Sequence, residues 1–450
     1  MEFNPVRSSR AGGPEGTHDF VASATSNGVN PSIFKAYDIR GTYGKDFDDD
    51  FAFRLGQALV KYVNRKKFLV ANDDRPFSPK LAEALMSGVT NSGGDVQYLG
   101  LSTTPLFNFV FKLLGVNGGV MITASHNPQE YGGFKVFGEE GRNIGLDTGL
   151  LGLKDLMISG NFEVSKYGGR VNNVGGGKIL DRYADFILKK AKLGNAGAKV
   201  KFKIDAPLIA REEVSLVLRA AGLNSVETEY DISFVLDADA DRISVFDGSD
   251  GPIHSDYICG LLIKNEINFW HKPKAVVDLR FSRGVREKFG EWRIECFRSR
   301  VGRAFLKENI VKYKADIAGE LSGHIFWKEA GYNELPLLTM LKIVKIMGRT
   351  GKGIKELVEP FRTWENSGEI NIATSNKRQA TSVLEKLKER CGNGKIDELD
   401  GVTVEYPDWW FNLRPSNTEP LVRLVVEAKT KDLLDEKIRE VKEIMGGEEE

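Results

Sequence analysis

Short strand-like runs alternate with helical patterns through most of the chain. Apolar runs at residues 68–71, 96–99 and 119–122 predict strands, and the apolar period at residues 81–89 predicts a helix. This β-α-β-α rhythm predicts a mostly parallel sheet with helices on its faces. Ligands of such sheets bind beyond the carboxyl ends of strands, which directs attention to the loop after residue 122.

The same rhythm recurs further along the chain. Residues 200–204, 232–236, 275–277 and 315–318 predict strands, and residues 212–221 predict a helix. Three strand ends, the first of them at residue 122, open onto polar loops. We therefore predict one composite site built from repeated α/β units.

The last part of the chain has a different pattern. Predicted strands lie at residues 369–372, 402–405, 409–412 and 422–426, and predicted helices flank them at residues 377–390 and 433–445. This order is typical of a smaller α+β domain with an antiparallel sheet.

Charge and length narrow the functional classes. The chain has 450 residues, which predicts several domains, and 63 basic residues balance 63 acidic ones. A net charge of zero argues against a dedicated nucleic-acid binder, which usually has a basic excess. A local basic pocket for a phosphorylated small molecule stays possible.

Three cysteines, Cys259, Cys296 and Cys391, are far apart in the sequence. Their spacing predicts neither a disulfide framework nor a zinc site, and it fits a reducing compartment. No apolar run approaches the ~20 residues of a membrane helix, and the first residues lack a signal peptide. We expect a soluble, cytoplasmic protein with no membrane partner.

The first loop with candidate chemistry, residues 123–128, reads TASHNP. It places Ser125 directly after a predicted strand. A serine hydroxyl is a weak nucleophile, so it needs an acid/base neighbour or a metal to react. His126 is adjacent in sequence, but adjacency alone does not establish a hydrogen bond. An ordinary polar turn is the alternative.

The second loop carries Asp237, Asp239 and Asp241 at alternate positions. In an extended segment these side chains point the same way and repel one another unless a cation lies among them. Carboxylates suit Mg²⁺. An EF-hand is excluded, because Arg242 stands where Gly is needed and Gly248 where Glu is needed. A solvated acidic turn is the alternative.

The third loop contains Glu320, Ser322 and His324. Glu320 and Ser322 project to one side at period two and suit the hydroxyls of a sugar. His324 is a candidate proton shuttle near neutral pH, with a structural histidine as the alternative.

The fourth loop, residues 414–420, reads RPSNTEP, and Arg423 follows it. Arginine offers a fork to phosphate, and hydroxyl, amide and backbone N–H groups add neutral donors. The segment is a candidate phosphate site, with a polar turn between strands as the alternative.

These four loops, in this order, resemble the α-D-phosphohexomutase family, most closely its phosphomannomutase/phosphoglucomutase branch. Two further matches are FKAYDIRG at residues 34–41 and WFNL at residues 410–413. The resemblance covers about residues 33–445. It implies three related mixed or parallel α/β domains and a C-terminal α+β domain with an antiparallel sheet, arranged around a central cleft.

The resemblance also divides the chain. We expect a disordered leader at residues 1–30, domain 1 at 31–168, domain 2 at 169–248, domain 3 at 249–366 and domain 4 at 367–450. Domain 2 is expected to be shortened, because the stretch from Ile204 to Asp237 is much shorter than is usual in the family.

By resemblance, the protein interconverts hexose 1-phosphate and hexose 6-phosphate of mannose and/or glucose through a phosphoserine and a 1,6-bisphosphate. The implied cofactors are Mg²⁺ and glucose 1,6-bisphosphate as activator, the partners are hexose phosphates, and the state is a monomer or dimer. The metal would be bound by Ser125, the implied phosphoserine, together with Asp237, Asp239 and Asp241. The other implied catalytic residues are His126, Lys135, Arg242 and His324. The implied substrate-binding residues are Tyr37, Arg40, Glu320, Ser322, Arg414, Ser416, Asn417, Thr418 and Arg423.

Two departures from the family keep alternatives open. Leu321 stands where Met or Gln is usual and argues weakly against a phosphoglucosamine mutase, the nearest alternative enzyme. Arg303 lies in a segment that usually has Lys or Thr and His. Together with the shortened second domain, it motivates a non-catalytic sugar-phosphate-binding relative as the other alternative.

Overall fold

Four β-sheets follow one another along the chain. The computed structural model describes residues 29–64, 66–267, 272–373, 377–391, 393–416 and 421–445. The expected leader, residues 1–30, therefore lies almost wholly outside the described residues.

The first sheet is mixed, with the strand order β1-β5-β4-β2-β3-β6. Its strands are β1 (Ile39–Thr42), β2 (Lys67–Asn72), β3 (Asp95–Leu101), β4 (Gly118–Ile122), β5 (Tyr131–Phe137) and β6 (Val171–Asn173). The helices of this part are α1 (Asp49–Val63), α2 (Ser78–Asn91), α3 (Thr104–Leu114), α4 (Leu150–Ser159) and α5 (Gly177–Ala191). Strand β2 runs parallel to β3 and β4, whereas β5 returns antiparallel to β4. The predicted strands and the predicted helix are confirmed here.

The second sheet has four strands in the order β10-β9-β8-β7. They are β7 (Phe202–Asp205), β8 (Ile232–Leu236), β9 (Ile243–Asp247) and β10 (Pro252–Ile253), with helix α6 (Arg211–Ala221) between β7 and β8. Only β7 and β8 are parallel, and the metal-loop candidate connects β8 to β9.

The third sheet has the order β12-β11-β13-β14-β15. Its strands are β11 (Lys274–Asp278), β12 (Glu295–Ser299), β13 (Ile317–Gly319), β14 (Ile325–Trp327) and β15 (Asn333–Glu334). The helices are α7 (Ser255–Glu266), α8 (Arg283–Glu291), α9 (Arg303–Lys312), α10 (Pro336–Thr350) and α11 (Ile354–Val358). Strands β13 and β14 form an antiparallel hairpin whose turn is the sugar-loop candidate.

The fourth sheet is wholly antiparallel, as the sequence predicts, in the order β16-β20-β19-β18-β17. Its strands are β16 (Glu365–Ala373), β17 (Lys395–Asp397), β18 (Val402–Glu405), β19 (Trp409–Pro415) and β20 (Leu421–Ala428). Helices α12 (Lys377–Arg390) and α13 (Lys431–Met445) complete this part.

The small second sheet is built into a continuous core. One buried apolar cluster includes Phe107 of α3, Phe234 of β8 and Leu341 of α10. Helix α10 also packs closely against the segment that precedes β7. A Cβ atom on Gly348 would lie 1.8 Å from the carbonyl oxygen of Ala196 in that segment. This packing supports the strand that leads into the metal loop. The domain boundaries themselves stay a prediction.

Within the part of the chain that the structure describes, no helix is both long and apolar enough to cross a membrane.

Glu213 of α6 ties the second sheet to α3. Its Oε2 accepts a hydrogen bond from the Thr103 hydroxyl at 2.9 Å, and Thr103 in turn caps α3. Burial raises the pKa of Glu213 to about 8, and the charge of Glu212 adds to the shift. Because an unfolded Glu titrates near pH ~4.3, folding takes up a proton between those two values. Stability should therefore fall as the pH rises through this window.

Glu213→Gln should remove this penalty. We expect a higher melting temperature than wild type at pH 8, corresponding to on the order of a few kcal/mol, and a difference that shrinks towards pH 5. Thermal unfolding at both pH values measures it, with Glu227→Gln, an exposed glutamate of the same part of the chain, as control. Equal melting temperatures of Glu213→Gln and wild type at pH 8 would refute a buried, protonated carboxyl.

Candidate active site

Ser125 lies three residues after β4 in a strained conformation. Its φ angle is 51°, a left-handed value that costs free energy for a residue with a Cβ. Its N–H donates to the Thr123 hydroxyl at 3.0 Å, and the residue is only 3% exposed. The turn therefore presents a serine at the carboxyl end of the sheet, where ligands bind.

Arg75 stabilises this turn, although it was not identified from the sequence. Its guanidinium donates to the carbonyl oxygens of Ser125 at 2.9 Å and Asn127 at 2.8 Å. Arg75 is itself paired with Asp73, which also accepts from the Ser78 hydroxyl at 2.6 Å. Their position along the chain could have indicated this role, because Asp73 and Arg75 follow β2, the strand next to β4.

His126 and Arg40 flank the serine. The His126 Nδ1 atom lies 3.4 Å from Ser125 Oγ. Partial burial, followed by the charges of Arg242 and Arg40, lowers the pKa of His126, so its ring is neutral at neutral pH. Arg40 donates to Asn127 Oδ1 and pairs with Asp38, both at 2.5 Å.

The three aspartates converge through a turn. The prediction that they lie together is matched, but the predicted reason, an extended segment, is wrong. Asp237 Oδ1 accepts from the N–H groups of Asp241 at 3.1 Å and Arg242 at 3.0 Å, and Ala240 has a left-handed φ of 56°. The turn brings one oxygen of each aspartate within 4.8 Å of the others.

Each of these carboxylates keeps a buried oxygen to which no hydrogen bond is donated within the described residues. These atoms are Asp237 Oδ2, Asp239 Oδ1 and Asp241 Oδ1. Two of them have longer ion-pair contacts, Asp237 Oδ2 at 3.5 Å from Arg242 Nε and Asp241 Oδ1 at 3.3 Å from His324 Nε2. Buried carboxylate oxygens without donors are costly unless a cation coordinates them. Hard oxygen ligands in this number suit Mg²⁺, so the residues present fit that ion.

Lys135 of β5 contacts the same aspartates. Its Nζ lies 2.5 Å from Asp239 Oδ2 and 2.7 Å from Asp241 Oδ2. Burial alone would lower the pKa of Lys135, but the two carboxylates raise it, so the amine is charged. The Thr104 hydroxyl at the start of α3 also donates to Asp239 Oδ2, at 2.6 Å.

The aspartates differ in charge state. Burial, and then repulsion from Asp241 and Asp239, raises the pKa of Asp237 to about 7. Burial would also raise the pKa of the other two, but Lys135 holds both below the usual value. Asp239 and Asp241 are therefore ionised at neutral pH, and a cation among the three carboxylates would lower the pKa of Asp237.

The sugar-loop candidate is also a turn, which corrects the prediction of period-two projection. The Glu320 N–H donates to the His324 carbonyl at 2.9 Å across the β13–β14 hairpin. His324 Nδ1 lies 3.0 Å from both Glu320 Oε2 and Ser322 Oγ. Its Nε2 lies 3.3 Å from Asp241 Oδ1, so the imidazole joins the sugar loop to the metal loop.

His324 is cationic at neutral pH. Burial alone would lower its pKa, but Asp241, and then Glu320, raise the pKa of the imidazole to about 9. The same contact holds the pKa of Glu320 at about 2 against the effect of burial. The sequence suggested a proton shuttle that titrates near neutral pH. The raised pKa of His324 instead keeps its imidazole protonated there.

Arg303, the departure noted in the sequence, is paired with a partner that the sequence did not reveal. Its guanidinium donates to Glu334 Oε2 and to Asn143 Oδ1, each at 3.0 Å, and its Nε lies 3.6 Å from Asp241 Oδ2. Glu334 is fully buried at β15. The substituted position is thus charge-balanced and faces the metal loop.

Tyr37 contacts the residues before α9. Its hydroxyl donates to the Val301 carbonyl at 3.0 Å. Gly302 has a φ of 131°, and a Cβ atom there would lie 2.4 Å from the Tyr37 hydroxyl. Only glycine fits at residue 302 with Tyr37 in this place.

The phosphate-loop arginines lie on strands, Arg414 on β19 and Arg423 on β20. Both contact Glu369 of β16, Arg414 at 3.0 Å and Arg423 at 2.9 Å. Arg280, which follows β11, contacts the same carboxylate at 2.7 Å. Ser416 donates its N–H to the Leu421 carbonyl at 2.8 Å. The predicted ligands Asn417 and Thr418 lie outside the described residues.

Eight of the seventeen candidate residues line one cleft of about 150 Å³ between the units. Of the predicted site, it brings together Tyr37, Arg40, Ser125, Lys135, Asp241, Arg242, Glu320 and His324. His126, Asp237, Asp239 and Ser322 contact these residues directly. The arginine group connects to the cleft through Arg280, which lies 3.6 Å from Glu320.

Comparisons with known proteins match this architecture. Models of the phosphoglucomutase/phosphomannomutase family match residues 31–150 as alpha/beta/alpha domain I and residues 254–363 as alpha/beta/alpha domain III. Residues 369–444 match the C-terminal domain of the same family.

Individual relatives extend the match over most of the chain. A phosphomannomutase of Methanocaldococcus jannaschii is 33% identical, covering 92% of this chain and 97% of its own. The crystal structure of a phosphoglucomutase/phosphomannomutase family protein from Burkholderia thailandensis superposes with a TM-score of 0.79 at 24% identity, covering 93% and 98%.

A more distant structure, with a TM-score of 0.57 at 12% identity, is an Aspergillus fumigatus N-acetylphosphoglucosamine mutase in complex with glucose 1,6-bisphosphate. It covers 91% of this chain and 94% of its own. The same enzyme has also been solved with GlcNAc-6P and magnesium.

Proposed function

The chain belongs to the α-D-phosphohexomutase family and is a hexose phosphate mutase, and from this premise we propose that Ser125 carries its phosphoryl group. The substrates are the 1- and 6-phosphates of mannose and/or glucose, with a hexose 1,6-bisphosphate as intermediate. A phosphoglucosamine mutase is the alternative that shares the same chemistry.

One observation carries this proposal. The strained Ser125, Asp241 and the Glu320–His324 turn line one cleft. Asp237 and Asp239 each place an oxygen within 4.8 Å of one on Asp241, and all three carboxylates keep a buried oxygen without a hydrogen-bond donor among the described residues. Phosphoryl transfer depends on positioning and on neutralising charge, more than on covalent help from the protein. Four separate loops that meet around one serine supply both.

In the proposed transfer, the bond from phosphorus to Ser125 Oγ breaks as a bond forms to the free hydroxyl oxygen of the bound hexose phosphate. In net terms, the hydroxyl proton ends on Ser125 Oγ. The neutral ring of His126, 3.4 Å from Oγ, is the group placed to hold that proton. The second half-reaction reverses these bonds at the other phosphate of the bisphosphate.

Mg²⁺ would be held by Asp237, Asp239 and Asp241 together with the group on Ser125. When bound, it would supply positive charge to the phosphoryl group in transfer. Lys135 and Arg242 flank the same position and add two cationic side chains. Arg75 and the backbone of the turn keep Ser125 at that position.

Tyr37 and Arg40 line the same cleft as Ser125. Glu320 and Ser322 orient the sugar hydroxyls, and His324 fixes both through its Nδ1. Arg414 and Arg423, with Ser416, Asn417 and Thr418, bind the phosphate that is not transferred. Because this anchor interacts only with a phosphate, it serves the 1-phosphate and the 6-phosphate orientations alike.

Arg414→Ala should mainly raise KM. The contact with the distant phosphate is present in the ground state and the transition state alike, so its loss weakens binding without slowing chemistry. We expect a KM increase of about 10- to 100-fold with kcat within about threefold of wild type. Steady-state kinetics measure this, with the exposed Arg439→Ala in α13 as control. An unchanged KM would remove Arg414 from the phosphate site.

The activity assay should compare three sugars. The protein is incubated with Mg²⁺, a trace of glucose 1,6-bisphosphate and, in turn, mannose, glucose or glucosamine 1-phosphate. We expect the 6-phosphate from mannose or glucose. Product from glucosamine alone would transfer the assignment to the alternative mutase, and no product from any sugar would overturn the proposal.

A further inference from the structure

Two arginines of the fourth sheet face each other. Arg414 of β19 and Arg423 of β20 are directly opposite in the antiparallel register. Like charges in that position are destabilising, and the strands fix the register, so the two backbones cannot separate to relieve the repulsion. An anion between the two guanidinium groups would offset this repulsion.

Glu369 of β16 supplies that anion within the chain. It lies opposite Val425 on the other edge of β20, and is therefore diagonal to Arg423 on the same face. Its Oε1 lies 2.9 Å from Arg423 and its Oε2 lies 3.0 Å from Arg414. A single carboxylate thus spans the two facing guanidinium groups.

A third arginine holds the same carboxylate from outside the sheet. Arg280 donates to Glu369 Oε2 at 2.7 Å and is itself fixed by Asp278, at 2.7 Å and 3.2 Å. Burial would raise the pKa of Glu369, but Arg280 and then Arg414 lower it, so the carboxylate is ionised. Glu369 thus has one partner that does not depend on Arg414 or Arg423.

The cluster has capacity for a further anion. Arg414 has a side-chain exposure of 5%, and its buried Nε has no hydrogen-bond acceptor within the described residues. Buried guanidinium N–H groups are rarely left without an acceptor. Glu369 is the more accessible member, with a side-chain exposure of 21%. Arg414 is thus incompletely satisfied by the carboxylate that it contacts.

A phosphate monoester offers the arginines more negative charge and more acceptor oxygens than the Glu369 carboxylate does. It carries nearly two negative charges and three acceptor oxygens, and it accepts forked hydrogen bonds from arginine. Glu369 and such a phosphate would compete for the same donors on Arg414 and Arg423. If the phosphate replaced it there, Glu369 would keep Arg280, so its charge would not be left buried and unpaired.

We propose that Glu369 is a built-in anionic ligand of the Arg280–Arg414–Arg423 cluster, displaced from Arg414 and Arg423 by the phosphate of the bound hexose phosphate. This inference rests on the proposed role of the two strand arginines as the phosphate anchor. Between turnovers, Glu369 offsets the repulsion between the facing arginines. Because it competes with phosphate for them, it also lowers their affinity for phosphate and so favours release of product.

Glu369→Gln tests this with little change of shape. Glutamine keeps one carbonyl oxygen for the arginines but removes the competing charge. Binding of glucose 6-phosphate to the full chain is measured by titration calorimetry in wild type, Glu369→Gln and the control Glu365→Gln, which alters an exposed glutamate of the same strand. We expect Kd to fall at least about tenfold in Glu369→Gln and to stay unchanged in the control, since one unit charge near a partly solvated anion site has an effect of that order.

A second readout covers a loss of stability in the variant. Because the ligand no longer has to displace a charged competitor, saturating glucose 6-phosphate should raise the melting temperature of Glu369→Gln more than that of wild type. Unchanged or weaker binding in Glu369→Gln, with wild type binding normally, would overturn the inference and leave the proposed function standing. Failure of wild type to bind glucose 6-phosphate would overturn both.

Discussion

Ser125→Ala is expected to reduce turnover by about 10⁴-fold or more, as removal of the group that bonds to the transferred moiety does in other enzymes. The strained turn and the contacts from Arg75 place the Ser125 side chain in the cleft, whereas the neighbouring Thr123 hydroxyl accepts a hydrogen bond from the Ser125 N–H and does not line it. Alanine has the same Cβ atom as serine and so bears the same backbone strain, and the bond from the residue 125 N–H to Thr123 involves no side-chain atom of residue 125. Binding of hexose phosphate should therefore persist while turnover is lost.

The control is Ser87→Ala, which removes an exposed hydroxyl from α2. It should match wild type in rate and in melting temperature. Mutase assays and glucose 6-phosphate titrations on the three proteins separate loss of chemistry from loss of binding. Turnover by Ser125→Ala at more than a few per cent of wild type would exclude a phosphoserine at this position.

Asp239→Asn is expected to reduce kcat by about 10²- to 10³-fold and to weaken Mg²⁺ binding. Asp239 is fully buried, and its two oxygens have different tasks. Oδ2 accepts from Lys135 and Thr104, whereas Oδ1 has no hydrogen-bond donor among the described residues and is available to a cation. Asparagine preserves the shape and removes the charge that the cation requires.

Mg²⁺ titration by calorimetry and by activity measures this effect. Asp205→Asn, an exposed acid at the end of β7, controls for a general change of charge in the same sheet. An Asp239→Asn protein with wild-type Mg²⁺ dependence would mean that the three aspartates form an ion-pair network with Lys135 and not a metal site.

The strands and their order of appearance could be predicted because burial imposes clear apolar runs. The loops that carry the site were found because they interrupt those runs at the carboxyl ends of strands. Arg75 was within reach of the same reasoning, since it follows the strand beside β4. Ser125 and the three aspartates could therefore be selected from the local sequence of a single chain.

The reason that the aspartates converge could not be read from the sequence. Periodicity predicts an extended segment, but Ala240 adopts a left-handed conformation and Asp237 accepts two backbone N–H groups. An isolated alanine gives no signal for such a turn, because it rarely adopts positive φ. The same limit applies to the Glu320–His324 turn between β13 and β14.

Partners brought together by the tertiary fold were not predictable either. Glu369 and Arg280 are 89 residues apart, and Arg303 and Glu334 are joined across α9 and β15. Strand register and helix placement bring these pairs together, and neither leaves a mark in local composition. The packing of the second sheet is a similar case, since it shares one buried core with α3 and α10.

The central claim is that Ser125 carries the phosphoryl group during the reaction, and peptide mass spectrometry tests it most directly. The full-length protein is incubated with Mg²⁺ and glucose 1,6-bisphosphate, digested and analysed, and a second sample first receives excess glucose 6-phosphate. We predict one phosphoryl group on Ser125 in the first sample and its discharge in the second. A protein that turns over hexose phosphate while Ser125 stays unmodified, or while another residue carries the phosphoryl group, would contradict the account.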